Sequence, residues 1–263
     1  MTKNKNYLQL NIPTPNISVS SLCLRYKHHL IFDNFKFHLP ANQWTCLLGP
    51  SGVGKTSLLR FIAGLPYDHK CKFSGNVTTS DNEPLRGKIT YMTQQDSLLP
   101  WLNILDNVLI GFSLRNTTIS NSLKHRAESL LQKTELIGIS KLKPCQLSHG
   151  MRQRVALVRS LIENRQIVLM DEPFSALDVI TRSKLQNLAA KLLKNRTVLL
   201  VTHDPLEALR LGNHIHVITG SPAKMSNVVV PQGIIPRNSA NIKLLKQQAK
   251  LLKTLAKNKY ISN

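Results

Sequence analysis

Apolar and polar residues alternate from Ile17 to Leu39, as in Ile17-Ser18-Val19-Ser20 and Phe35-Lys36-Phe37-His38-Leu39, which predicts a half-exposed antiparallel region. Three later runs, Trp44–Leu48, Ile167–Met170 and Thr197–Val201, are apolar over almost their whole length, the pattern of strands covered on both faces. Lys72–Thr78, Lys88–Thr93 and Ile215–Ile218 read as further strands. Helical spacing appears at Ser57–Ala63, at Val155, Leu157, Val158 and Leu161, and in a short segment from Glu207 to Leu211. Between Asn103 and Asn164 the strand signal disappears, and Leu123, Ala127, Leu130, Leu131, Thr134 and Ile137 recur at three- and four-residue steps. The prediction is one α/β domain over residues 17–237, with a mostly parallel sheet, an antiparallel β region and a helical insertion over about 103–164. A tail precedes it (1–16), and a basic amphipathic helix follows (238–263), in which Ile242, Leu245, Ala249, Leu252 and Ala256 form the apolar row among six lysines.

Composition narrows the class. No apolar run approaches the roughly 20 residues of a spanning helix, and Ser97–Leu114 is broken by Pro100, Asn103, Asp106 and Asn107. The N-terminus lacks the apolar core of a secretion signal, so the chain is expected in the cytoplasm. The four cysteines have no paired spacing for zinc or redox chemistry and read as free, mostly buried thiols. A formal charge of +21 suits nucleic acid, anionic lipid or acidic partners, or reflects only a bias toward Lys and Asn. For the C-terminal helix, packing back on its own domain is favoured over lying on the inner membrane leaflet.

Gly49-Pro50-Ser51-Gly52-Val53-Gly54-Lys55-Thr56 lies between a predicted strand and a predicted helix and matches the phosphate-loop pattern. Its glycines let successive N–H groups turn toward phosphate oxygens at the positive end of the helix. Lys55 then reaches the outer phosphates, and the Thr56 hydroxyl is placed for Mg2+, with Ser57 following it. The apolar strand at Ile167–Met170 ends in Asp171-Glu172, where ligands bind in open α/β sheets. Asp171 can hold Mg2+ through water, and Glu172 can orient or deprotonate an attacking water. His203, at the end of the Thr197–Val201 strand, is placed for a terminal phosphate or that water.

Ser148 can cap the helix after Leu147, making a second anion site remote in sequence from the first. Tyr26 is open to two readings, an aromatic platform for adenine or a core residue, and its spacing alone favours the core. Trp101, in Leu98-Leu99-Pro100-Trp101-Leu102, is either a contact surface or, by default, buried.

These motifs, in this order and spacing, resemble the ATP-binding subunits of ABC transporters over roughly Ile17 to Gly220. The resemblance implies a P-loop NTPase with an ABC-type ATPase core that hydrolyses ATP with Mg2+. It implies that Tyr26 stacks on adenine and that Gln94 senses Mg2+ and the γ-phosphate. Ser148, His149 and Gly150 would contact ATP bound by a second copy in a head-to-tail homodimer. It further implies integral membrane permease subunits and a periplasmic solute-binding protein as partners, a place on the cytoplasmic face of the inner membrane, and no nucleic acid. Leu98–Trp101, Gly150–Arg154 and Asp171–Asp178 look like the importer branch for nitrate, sulfonates, taurine and thiamine-pyrimidine precursors. Within it, Val179–Arg182 and Thr202–Leu209 look most like hydroxymethylpyrimidine importers.

His149 departs from the family pattern, which has glycine there. Its side chain can crowd the γ-phosphate of the opposing ATP or, when protonated, add a cation to it, so slowed hydrolysis is expected. A nucleic-acid-associated ABC ATPase, suggested by the charge, and a regulatory nucleotide-binding module, suggested by His149, are the alternatives.

Overall fold

The computed structural model describes residues 14–67 and 69–259, so most of the expected N-terminal tail lies outside the described residues. The first half of the chain holds β1 (Ile17–Tyr26), β2 (His29–Leu39), β3 (Trp44–Leu48), α1 (Lys55–Ile62), β4 (Cys71–Thr79), β5 (Ile89–Met92), α2 (Ile104–Leu114) and α3 (Asn121–Lys133). The second half holds α4 (His149–Ile162), β6 (Ile167–Asp171), α5 (Val179–Leu192), β7 (Thr197–Thr202), α6 (Pro205–Leu211), β8 (His214–Thr219), β9 (Lys224–Met225) and α7 (Ile242–Lys259).

The strands make two sheets. One is antiparallel, in the order β2-β1-β4; the other runs β5-β6-β7-β3-β8-β9 and is parallel except for its last pair. Strands β3, β6 and β7 are buried at every residue, which is why their sequences are near-continuous apolar runs. Successive side chains serve opposite faces. Leu48, Met170 and Leu200 pack toward Leu157, Leu185 and Leu209 of α4, α5 and α6. Leu47, Leu169 and Leu199 pack toward Leu58 of α1 and Leu22, Phe32 and Phe37 of the antiparallel sheet.

Helices α2, α3 and α4 enclose a third core of Ile104, Val108, Leu130, Leu131, Val155 and Val158. Helix α4 belongs to two cores, because its Ala156 and Leu157 face the large sheet while Val155 and Val158 face the helical insertion. A movement of the insertion is therefore felt at the sheet.

Several sequence expectations are corrected. Ile137 is exposed, because α3 stops at Lys133 and the chain reverses through Glu135 and Gly138, both at positive φ, so that Leu136 and Ile139 enter the core instead. Helix α5 begins at Val179, with Asp178 as its cap, and residues 172–177 before it form turns and bends. Of the four cysteines, expected to be mostly buried, only Cys46 is buried. Helix α7 packs on α6, but through Leu244 and Leu251, with Leu255 beside them; the expected row Ile242, Leu245, Ala249, Leu252 and Ala256 points outward. Both rows have helical spacing, and the rotation of α7 is set by its entry. Buried Arg237 donates to the carbonyls of Leu209, Gly212, Pro231 and Gln232, while its own carbonyl accepts from Arg210.

Candidate functional site

Parallel register assembles the site. Leu48 pairs with Thr202 and Asp171 with Val201, so the residues just beyond β3, β6 and β7 emerge together at one sheet edge. These are Gly49, Glu172 and His203. Met92 pairs with Met170, which places Gln94 level with Glu172.

Residues Gly49, Pro50, Ser51, Gly52, Val53 and Gly54 form the loop between β3 and α1, and Lys55, Thr56 and Ser57 begin the helix. Gly54 caps α1 at φ 104°, and a Cβ there would lie 2.6 Å from Ile31 Cγ2 and 2.9 Å from Phe32 Cζ, so both backbone angle and space require glycine. With no side chain capping α1, the first N–H groups of the helix remain available to an anion. Lys55 is buried, and its Nζ donates to the carbonyls of Gly49 and Pro50, both at 2.8 Å. Burial lowers its pKa, opposed by Glu172 and Asp171.

Thr56 Oγ1 donates to Asp171 Oδ2 at 2.6 Å. Burial raises the Asp171 carboxyl, the Thr56 bond opposes that, and the neighbouring Glu172 charge adds to it. A hydroxyl beside a carboxylate is a donor set for a hard cation such as Mg2+, which characteristically takes one or two protein ligands and completes its shell from phosphates and water. Among the described residues no group of three or more His, Cys, Asp or Glu side chains could hold a metal alone, and the pair fits a cation that arrives with its nucleotide.

Glu172 Oε2 is shared: Gln94 Nε2 donates to it at 3.3 Å, and His203 Nδ1 lies 3.1 Å away. The Glu172 backbone sits at φ 50°, in the left-handed region, where a non-glycine residue costs about 1–3 kcal/mol. Its N–H is held by the Val201 carbonyl at 2.9 Å, and its carbonyl accepts from Gln153 Nε2 and Ser175 Oγ, each at 3.0 Å.

Gln153, on α4, is a residue that motif reading passed over. Its Oε1 also accepts from the Ala176 N–H at 2.9 Å, so one buried amide pins both ends of the turn after Glu172. Its signal lay in the pattern: Gln153, Leu157 and Ser160 follow a four-three step on the buried face, where a polar amide requires partners. The loop after Gln94 is tied to the same helix. Arg152 Nε meets Asp96 Oδ2 at 3.0 Å, and Arg159 donates to the carbonyls of Asp96 and Ser97.

At the N-terminus of α4, Ser148 Oγ accepts from Met151 N at 3.3 Å as the helix cap, and Ser148 and His149 are exposed. No hydrogen bond among the described residues joins Ser148, His149 or Gly150 to the phosphate loop of the same chain. Tyr26 is 37% exposed and lines a cavity of about 280 Å3 with Ser57, Arg60 and Tyr67, which overturns the core reading its spacing favoured. Trp101 is 68% exposed, against the default of burial. Its turn is clamped by fully buried Asn107, which accepts from Leu99 N and donates to the carbonyls of Leu99, Leu102 and Asn103. No helix among the described residues is long and apolar enough to cross a membrane.

Comparison with known proteins agrees with this geometry. Residues 32–175 match the family model described as ABC transporter. An uncharacterized ABC transporter ATP-binding protein of Haemophilus influenzae is 40% identical over 238 residues, covering 88% of this chain and 96% of the relative. An aliphatic sulfonates import ATP-binding protein of Rhodococcus jostii is 41% identical over 74% of this chain and 76% of its own length. A protein of the same description from Burkholderia cenocepacia is 34% identical over 91% and 89%. Among solved structures, a dimeric bacterial ABC transporter cassette superposes with a TM-score of 0.72 at 28% identity, covering 83% of this chain and all of that one. A post-hydrolysis dimer bound to ADP and phosphate gives 0.71.

Proposed function

The chain belongs to the ABC transporter family as an ATP-binding, ATP-hydrolysing cassette, and on that premise we propose that it powers solute import through a separate membrane permease. The observation that carries this is the shared Glu172 carboxylate, held by Gln94 and His203 beside the Thr56–Asp171 pair at the mouth of the phosphate loop.

In this reading the loop N–H groups and the start of α1 bind the phosphates, and Lys55 exchanges the Gly49 and Pro50 carbonyls for the outer phosphate oxygens. Tyr26 supports the adenine. Thr56 and Asp171 would hold Mg2+ and Gln94 would sense it; the ion would supply neutralisation of the charge on the outer phosphates. Glu172 accepts the proton of the attacking water, and His203 holds the carboxylate and the γ-phosphate in position.

Ser148 and Gly150 contact ATP held by a second copy, with His149 crowding that contact, so each chain completes the other's site in a head-to-tail homodimer. Gln94, through Asp96 to Arg152, links the presence of the γ-phosphate to α4 and its exposed cap. The clamped, exposed Trp101 turn carries the motion to the permease. The residues 17–237 form the working cassette, with 103–164 as its moving part. The chain sits at the cytoplasmic face of the inner membrane, and a periplasmic solute-binding protein delivers the cargo.

The relatives described with a cargo import aliphatic sulfonates, which supports a small solute of the sulfonate or nitrate kind. The hydroxymethylpyrimidine reading rests on Val179–Arg182 and Thr202–Leu209. Reconstitution with its permease, measuring ATP-driven uptake of labelled sulfonate against labelled pyrimidine, decides between them. MgATP turnover absent even beside the permease overturns the enzyme assignment for this chain.

A further inference from the structure

Helix α7 reaches the catalytic residues. A cavity of about 320 Å3 is walled by Glu172 and His203, by Phe174 and Pro205, and on its remaining side by Gln248 and Leu252 of α7. Nothing in the hydrolytic chemistry above uses these last two. The wall is fixed in place: Leu244 and Leu251 anchor α7 in the main core, and the Arg237 clamp holds its entry.

Beside the cavity stands an unexplained protrusion. Ser175 and Arg182 both line the cavity, and between them in sequence Val179 and Ile180 start α5 with 78% and 69% of their surfaces exposed. Two adjacent β-branched side chains gain nothing within their own chain by facing water. Covered by a partner, both remove apolar surface from water, which favours association.

We propose that Val179 and Ile180 of one copy of this chain seat against the Leu252 and Gln248 wall of the other, so that α7 is a contact element of the dimer. This rests on the head-to-tail sandwich reading and extends it to a surface that holds no nucleotide. A two-fold interface requires a self-complementary patch, and here a protrusion and a hollow lie side by side on one face, next to Glu172 and His203. Because the hollow is pre-formed, little ordering opposes the contact. The lysines of α7 suit an anionic lipid surface, but Glu172, Asp204 and Glu207 in the cavity do not, and the proposed permease contact lies elsewhere, at Trp101.

The test uses full-length protein carrying Glu172→Gln, which blocks hydrolysis, with MgATP and sedimentation equilibrium as the readout. The parent dimerises; Leu252→Glu and Val179→Lys, both at exposed positions, each weaken the dimer by about tenfold or more, and the double variant regains most of the loss because lysine then meets glutamate across the interface. Independently, a mixture of Val179→Cys and Leu252→Cys chains yields an interchain disulfide with MgATP and none without it, beyond the background of the native cysteines. A parent that dimerises while both charged variants match it, or while the cysteine mixture gives no disulfide, overturns the proposal and leaves the sandwich standing. Normal dimers with weakened permease binding also overturn it, and assign the patch to the permease. A parent that stays monomeric overturns the sandwich itself, and this contact with it.

Discussion

Thr56 Oγ1 donates to Asp171 Oδ2 at 2.6 Å, joining the first turn of α1 to the end of β6 across 115 positions of sequence. Burial raises the Asp171 carboxyl, so holding its charge there costs the nucleotide-free protein stability. Asp171→Asn keeps an acceptor for Thr56 and removes the charge. Turnover of MgATP falls by about 100-fold or more, while thermal unfolding of the nucleotide-free variant at neutral pH occurs at an equal or higher temperature. A marked drop in that temperature contradicts the account of Asp171.

Gln153 holds the Glu172 carbonyl and the Ala176 N–H with one buried amide. Gln153→Ala leaves the buried Ala176 N–H without a partner, at a cost of about 1–3 kcal/mol, while the Glu172 carbonyl keeps Ser175 Oγ but loses its tie to α4. Denaturant titration shows the loss of stability; steady-state kinetics show kcat reduced with ATP affinity nearly unchanged, since the phosphate loop is untouched.

His149 is exposed at the first position of α4, where the family pattern has glycine. Replacing it with glycine removes a side chain from the proposed trans phosphate contact and raises kcat by roughly 3- to 30-fold, in keeping with the sensitivity of reaction rates to small misplacements. Equal kcat for His149→Gly and the parent, measured beside the permease, removes His149 from the account.

Trp101→Ala deletes an exposed ring from a turn that Asn107 continues to hold. The isolated ATPase keeps its basal rate, and stimulation by the permease is lost. Asn107→Ala loses the same stimulation and in addition unfolds at lower denaturant, by about 1–3 kcal/mol, because buried carbonyls and an N–H lose their partner.

Glu207 is buried in the wall of the cavity that His203 also lines, and burial pushes its carboxyl up to about 7, against bonds from Thr202 and Gln186. A folded pKa above the unfolded value of 4.5 means the folded state holds a proton that the unfolded chain releases. The contribution is complete below pH about 4.5, declines as pH rises and is gone above about 7, a difference of roughly 3 kcal/mol. Glu207→Gln stays neutral throughout. The stability gap between variant and parent therefore widens in the variant's favour from pH 5 to 7.5, as read by denaturant titration, and a constant gap refutes the shift.

Much of this was legible because short-range physics writes it into the chain. Residues 49–56 carry a backbone requirement that only their glycines meet, and the buried strands ending at Leu48, Asp171 and Thr202 appear as apolar runs. The helical insertion showed itself through spacing. Gln153 and Asn107 stayed hidden because their value lies in backbone groups 19 and 8 positions away, which no local motif names.

The sequence by itself determined the elements, their order and the residue types that can hold phosphate, cation and water, because periodicity and glycine geometry act within a few residues. Only the tertiary structure decided which side of an element faces in. Tyr26 and Trp101 came out exposed, and α7 turned its Leu244–Leu251 row to the core while leaving Leu252 beside Glu172. Two rows of one helix can satisfy the same spacing, and the choice between them was made by the Arg237 clamp that sets how the chain enters α7.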